Sequence, residues 1–269
     1  MPSAGFARRL QSVHQSPTPE VTSSLTRRVV APNPGPMTLD GTNSYLVGAP
    51  GSGVVVVDPG PLHDAHLTAL ASAGDVELVL VTHRHNDHTE SVHRFAAMTG
   101  ATVRAIEPRF CVGAEPLLDG ERLRAAGVSI DVIATPGHTA DSVSFRLPDD
   151  GPHGSVLTGD TILGRGTTVL SAPDGSLTDY LHSLRRLRAL GSSTVLPAHG
   201  PVLPDLVAVC DSYLEHRERR LAAVRAAVDE LGEEATVEQV TDLVYADADP
   251  AVRFAAEASV RAQLDYLRA

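Results

Sequence analysis

From Tyr45 onward the chain alternates short apolar runs, rich in Val, Leu and Ile, with abrupt polar stops. Residues 54–57 are four valines ending at Asp58-Pro59-Gly60, and residues 78–81 end at Thr82-His83. Residues 128–134 end at Thr135-Pro136-Gly137-His138, residues 155–157 at Thr158-Gly159-Asp160, and residues 194–196 at Pro197-Ala198-His199-Gly200. Continuous β-branched runs of this length, bounded by turn residues, predict strands buried on both faces. Helical patterns lie between some of them, over residues 63–73, 90–99 and 178–190. The expectation is an α/β domain whose loops beyond the strand ends carry the site.

Both flanks differ in character. Ala31-Pro32-Asn33-Pro34-Gly35-Pro36 cannot be helix interior. After Pro204, residues 211–232 predict a long Arg/Glu/Ala helix, and Thr236 is placed to N-cap a short one. A last helix follows Pro250. The expected division is a flexible lead-in over residues 1–26, a main domain over 27–205 and a small helical domain over 206–269. In the long helix, Leu214, Leu221, Val224, Val228 and Leu231 form a stripe that must be covered. The later helices, the main domain or a second copy of the chain in a homodimer would cover it.

Composition narrows the function. The chain is 42% hydrophobic but 4% aromatic, with no Trp, so Val, Leu and Ala must build the core. All 22 basic residues are Arg, which excludes lysine Schiff-base and lysine-nucleophile chemistry. A net charge of −11 argues against a general nucleic-acid coat or an anionic-membrane binder. Residues 211–269 carry 13 acidic side chains against seven Arg, a poor match for a nucleic-acid module. Cys111 and Cys210 each stand alone in apolar stretches and read as two reduced thiols. No apolar run approaches the roughly 20 residues of a membrane span. Residues 1–19 contain Arg8, Arg9 and no acid, a faint likeness to a transit peptide, but lack the apolar core of a secretory signal. A cytoplasmic enzyme is the expectation.

The chemistry concentrates in His83-Arg84-His85-Asn86-Asp87-His88. Side chains two apart in an extended segment point the same way, so His83 and His85 can converge on one ion. The turn that follows swings Asp87 and His88 toward a second. Imidazole nitrogen and carboxylate oxygen are donors that Zn²⁺ accepts. One loop cannot complete two coordination spheres, and His138, Asp160 and His199, each closing an apolar strand, are the further candidates. His63, His66, His93, His153, His182 and His216 read as mostly ordinary surface residues. Asp58, Thr139 and Ser142 read as residues that steady the ligand loops, and Arg165 as a loop Arg within reach of an anionic substrate.

This ordered set resembles the metallo-β-lactamase superfamily over residues 27–205. The resemblance implies a four-layer αβ/βα sandwich with two zinc ions per chain. His83, His85 and His138 would bind the first ion, and Asp87, His88 and His199 the second. Asp160 and a hydroxide would bridge them, with Asp87 orienting that hydroxide. The commonest class of true lactamases has Cys where Asp160 stands, and flavodiiron oxidoreductases have Glu where His85 stands. Only 39 positions separate Asp160 from His199, too few for the nucleases with a large inserted domain. Thr38 to Leu46, Leu163 to Thr168 and Tyr213 to Arg217 resemble the β-lactamase-like protein 2 group, which includes a metal-dependent endoribonuclease and has a small winged-helix-like C-terminal domain. Here that domain would be all helical. The implied reaction is hydroxide attack on a phosphodiester of single-stranded RNA. The alternatives are a thioester or ester, as in hydroxyacylglutathione hydrolases, and a non-catalytic scaffold.

Overall fold

The computed structural model describes residues 18–171, 173–246 and 249–268. Two sheets lie face to face. The first runs in chain order through β1 (Glu20–Val21), β2 (Thr26–Val30), β3 (Asn43–Val47), β4 (Val54–Val57), β5 (Val76–Leu80) and β6 (Thr102–Arg104). Its pairs are antiparallel as far as β4 and parallel from β4 to β6. The change of sense follows from the connections, since parallel neighbours need a crossover. Helix α1 (Asp64–Ala71) lies between β4 and β5, and α2 (Asn86–Thr89) and α3 (Val92–Thr99) lie between β5 and β6.

The second sheet comprises β7 (Arg122–Ala125), β8 (Val128–Ala134), β9 (Val143–Leu147), β10 (Ser155–Gly159) and β11 (Thr194–Pro197), ordered β11-β10-β9-β8-β7. Only its β10–β11 pair is parallel, and α4 (Leu177–Arg188) makes that crossover.

The runs are apolar throughout because both faces of each sheet are covered. Tyr45, Val47, Val55, Val57, Leu78 and Leu80 point inward against Ile130, Val132, Phe145, Leu147, Leu157 and Leu196. Their neighbours Leu46, Val54, Val56 and Val79 point outward, under Leu67 and Leu70 of α1 and Phe95 of α3. On the far side Val156 and Val195 meet α4 through Leu177, Tyr180, Leu184 and Leu187. The layers are therefore helix, sheet, sheet, helix. The hydrophobic pattern singles out neither β1, β2 and β3 nor β6, β7 and β9.

The long helix α5 (Leu206–Leu231) starts five residues before the predicted 211, because Asp205 caps it by accepting from the amides of Val207 and Ala208. Its first half closes the second sheet with Leu206, Cys210 and Tyr213. Its second half joins α6 (Val237–Val244) and α7 (Arg253–Arg268) around Val224, Ala227, Val240, Val260 and Leu264. Thr236 N-caps α6, and Gln239 completes the capping box. The apolar stripe is thus divided between two clusters, while Leu231 stays 42% exposed. Among the described residues no strand follows β11, and no helix is long and apolar enough to cross a membrane. Cys111 and Cys210 form no disulfide.

The expected lead-in over residues 1–26 needs correction at its end; its first 17 residues, with the transit-like feature, lie outside the described residues. Residues 20–26 belong to the sheet because buried Asp150 gathers them in. Its carboxylate accepts from Ser23 Oγ (2.5 Å), Ser24 Oγ (2.7 Å), the Leu25 amide (3.0 Å) and Ser155 Oγ (2.5 Å). Replacing it leaves several donors without a partner, at about 1–3 kcal/mol for each one kept from water. Asp150→Ala should therefore lower unfolding stability by at least about 2 kcal/mol. Urea denaturation measures this, and a loss within error of zero would rule out the anchoring role.

Candidate metal centre

Five strand ends deliver the polar cluster. Asp58 ends β4, Thr82 and His83 follow β5, His138 follows β8, Asp160 follows β10 and His199 follows β11. His85, Asp87 and His88 lie on the short turn into and through α2. Gly137 is required before His138. It has φ 137°, and a Cβ there would lie 2.4 Å from the Tyr180 Cα, so only glycine lets this turn pack on α4.

The seven side chains form two groups. The first is His83, His85, His138 and Asp160; the second is Asp87, His88 and His199. In the first, His85 Nδ1 lies 3.0 Å from both His83 Nε2 and His138 Nε2. Donors bound at about 2.0–2.1 Å to one ion sit roughly 3.0–3.4 Å apart, so this spacing fits a shared ion. In the second, Asp87 Oδ2 is 3.2 Å from His88 Nε2 and 3.2 Å from His199 Nε2. Asp160 straddles the groups. Its Oδ1 lies 3.3 Å from His199 Nε2 and 3.7 Å from His88 Nε2, while its Oδ2 lies 3.6 Å from His138 Nε2.

The opposite edge of four of the five rings is fixed by the protein. Asp58 Oδ2 takes His88 Nδ1 at 2.8 Å and the Thr82 hydroxyl at 2.7 Å, and Asp58 Oδ1 takes the Thr82 amide at 2.7 Å. Thr82 Oγ1 in turn meets His83 Nδ1 at 3.1 Å. His138 Nδ1 faces the Val169 carbonyl at 2.9 Å, and His199 Nδ1 faces the Gly41 carbonyl at 3.2 Å. These contacts leave Nε2 of all four rings turned inward. The buried atoms His88 Nε2, His199 Nε2 and Asp160 Oδ1 have no hydrogen-bond partner, which is what a site built for a cation requires.

The electrostatics of the two groups differ. Burial pushes His83 well below the ordinary imidazole value, and burial with His138 alongside pushes His85 down to about 4. His83 and His85 therefore offer neutral nitrogens. Burial also acts to lower His88 and His199, but carboxylates outweigh it. Asp87 and Asp58 hold His88 well above its usual range, and Asp160 and Asp87 raise His199 to about 10. Burial likewise opposes ionisation of Asp87 and Asp160, yet the neighbouring imidazoles keep both far below the usual carboxylate range. Taking up an ion in the second group must therefore expel protons.

Other candidates fall differently. Thr139 Oγ1 bonds Ser142 Oγ at 2.7 Å, and among the described residues neither hydroxyl reaches one of the seven side chains; they brace the turn that carries His138. Arg165 pairs with Asp40 at 2.7 Å and lines a cleft of about 150 Å³ together with Met37, Leu39, His138 and Asp160. His66, expected at the surface, is fully buried beneath α1 with Nε2 2.9 Å from Ser44 Oγ, and burial pushes it down to about 4. Pattern reading missed Thr42, whose hydroxyl donates to Asp87 Oδ2 at 3.2 Å, and Thr168, whose hydroxyl donates to the Asp160 carbonyl at 2.5 Å. The available signal for Thr42 was the polar run Thr42-Asn43-Ser44 directly before the apolar Tyr45-Leu46-Val47.

Residues 37–199 match the Metallo-beta-lactamase superfamily profile. The chain is 34% identical over 272 residues to the Beta-lactamase-like protein 2 homolog of Caenorhabditis elegans, covering 94% of this chain and 87% of that protein. The crystal structure of a metallo-beta-lactamase family protein from Thermus thermophilus, TTHA1429, superposes with a TM-score of 0.74 at 26% identity, covering 90% of this chain and 93% of that one. TTHA1623, solved in a di-iron-bound form, superposes with a TM-score of 0.55 at 25% identity, covering 69% of this chain and 97% of that one.

Because Asp58 orients His88 and, through Thr82, His83, Asp58→Ala should weaken metal binding by about 10–100-fold. Competition with a chromogenic chelator reads this directly. Unchanged affinities would remove Asp58 from the site.

Proposed function

The chain belongs to the metallo-beta-lactamase superfamily, whose members are typically metal-dependent hydrolases, and from that premise we propose a binuclear zinc hydrolase that cleaves phosphodiesters, with single-stranded RNA as substrate. The supporting observation is the placement of Asp160, with one carboxylate oxygen toward each imidazole group. Two divalent ions held this way would supply a hydroxide near neutral pH and neutralise charge building on the substrate oxygen. Nitrogen-rich donors suit zinc.

The protein's own part is orientation. Asp58, Val169 and Gly41 hold the rings so that Nε2 faces inward. Thr42 donates to Asp87 Oδ2, leaving the ionised Oδ1 to orient the attacking water by accepting a hydrogen bond from it. Asp87 is the partly exposed carboxylate of the second group, at the open side of the cluster. Exposed Arg165, on the cleft rim, suits an anionic substrate. A thioester or ester substrate is the second reading, favoured by the apolar cleft wall of Pro36, Met37 and Leu39.

Elemental analysis of protein purified without added metal should find about two zinc ions per chain; iron alone would sink the zinc assignment, and one ion at saturation the binuclear one. Asp160→Ala should abolish turnover and weaken both ions, whereas His199→Ala should weaken mainly one. Full activity with two metals in Asp160→Ala would remove the bridging role. Zinc-loaded protein assayed in parallel should cleave single-stranded RNA far faster than a thioester; the reverse preference would overturn the phosphodiester reading.

A further inference from the structure

A second cavity, of about 190 Å³, lies where the helical tail meets the loop after Asp160. Residues 167–169 help line this cavity and also the cleft that contains His138 and Asp160. The remaining lining includes His216, Arg217 and Arg220 of α5, with Tyr245 and Ser259 opposite. No acidic residue is among its described lining residues, in a chain of net charge −11.

These cationic groups are held in place. Arg217 is only 6% exposed; its guanidinium donates to the Thr168 carbonyl and stacks over the Tyr180 ring at 4.9 Å. Its Nε is buried with no hydrogen-bond partner. Arg220 lies over the Tyr245 ring at 4.6 Å and reaches the Val244 carbonyl at 3.5 Å. His216 Nε2 is 3.4 Å from the Thr167 hydroxyl. Burial and the nearby Arg217, Arg220 and Arg219 together lower the His216 pKa, consistent with local positive potential. An arginine pinned by an aromatic face keeps its remaining N–H groups ordered for an oxyanion. Surface arginines elsewhere are mostly engaged by carboxylates, as Arg188 is by Asp211 and Arg253 by Asp242 and Glu257.

We propose that this cavity is a phosphate subsite, in which His216, Arg217 and Arg220 bind a phosphodiester of the substrate strand next to the one being cleaved. The assignment rests on the phosphodiester reading above. It gives the acidic tail a local role in substrate recognition, through one basic cavity beside the site.

Two measurements on the full chain test it separately from that reading. In the first, metal-free protein is titrated with inorganic phosphate while the His216 imidazole is followed by NMR. A saturable shift is expected, weakened about tenfold or more in Arg220→Gln. No shift in the parent protein, or one that Arg220→Gln leaves untouched, overturns the subsite whatever the enzyme hydrolyses. In the second, zinc-loaded protein is compared on a dinucleotide, which has only the scissile phosphate, and on a trinucleotide. The parent should favour the trinucleotide about tenfold in kcat/KM, mainly through KM. Arg220→Gln and His216→Ala should lose that preference while keeping the parent rate on the dinucleotide. Equal preference in parent and variants overturns the subsite. Saturable, Arg220-dependent phosphate binding without cleavage of either oligonucleotide would uphold an anion site and overturn the phosphodiester reading.

Discussion

The Asp58 carboxylate is almost wholly removed from water, yet accepts three hydrogen bonds, two from Thr82 and one from His88. Burying such a group is costly unless every lone pair has work, and here those bonds set the whole site. Asp58 itself sits at φ 53°, a backbone conformation that side chains other than glycine rarely adopt. Through Thr82 it fixes His83 of the first imidazole group, and directly it fixes His88 of the second. Both groups are thus referenced to one carboxylate at the end of β4, so their separation follows from the rigid pairing of β4 with β5.

The same dependence runs through the second sheet. The loop over residues 163–169 supplies the Val169 carbonyl for His138 and the Thr168 hydroxyl that donates to the Asp160 backbone. It has little secondary structure of its own and is held from outside by α5. The Tyr213 hydroxyl takes the Leu163 amide at 3.0 Å and lies 3.0 Å from the Gly166 carbonyl, while Arg217 donates to the Thr168 carbonyl. The tail helix therefore stabilises the inner arrangement of the centre as well as the sheet beneath it. An irregular loop can carry catalytic geometry only when packed elements over-determine it.

Much of the site was legible because its signals are local. His83 and His85 stand two apart, and His138, Asp160 and His199 each close a buried apolar run, so spacing and strand ends sufficed to pick them out. The resemblance to the superfamily rested on those same positions, and the family match now covers residues 37–199. The helical tail was legible too, since Thr236 and Asp205 are capping residues with a local mechanism, although only the former was read.

What the chain by itself determined was the alternation of strands and helices, their caps, and the identity and order of the seven inward-facing side chains. Those properties depend on neighbours within a few positions. Tertiary structure alone decided the rest. The carbonyls of Gly41 and Val169 leave no mark in sequence, because every residue has a carbonyl, and only the packing of two sheets brings them to His199 and His138 across 158 and 31 positions. His66 reads as a surface histidine until α1 turns it onto Ser44. Arg217 stands in the sequence as one arginine of an Arg/Glu/Ala helix, and only the packing of α5 on the loop after Asp160 buries it. A side chain's type is local, but its burial and partners are set by which distant surface covers it.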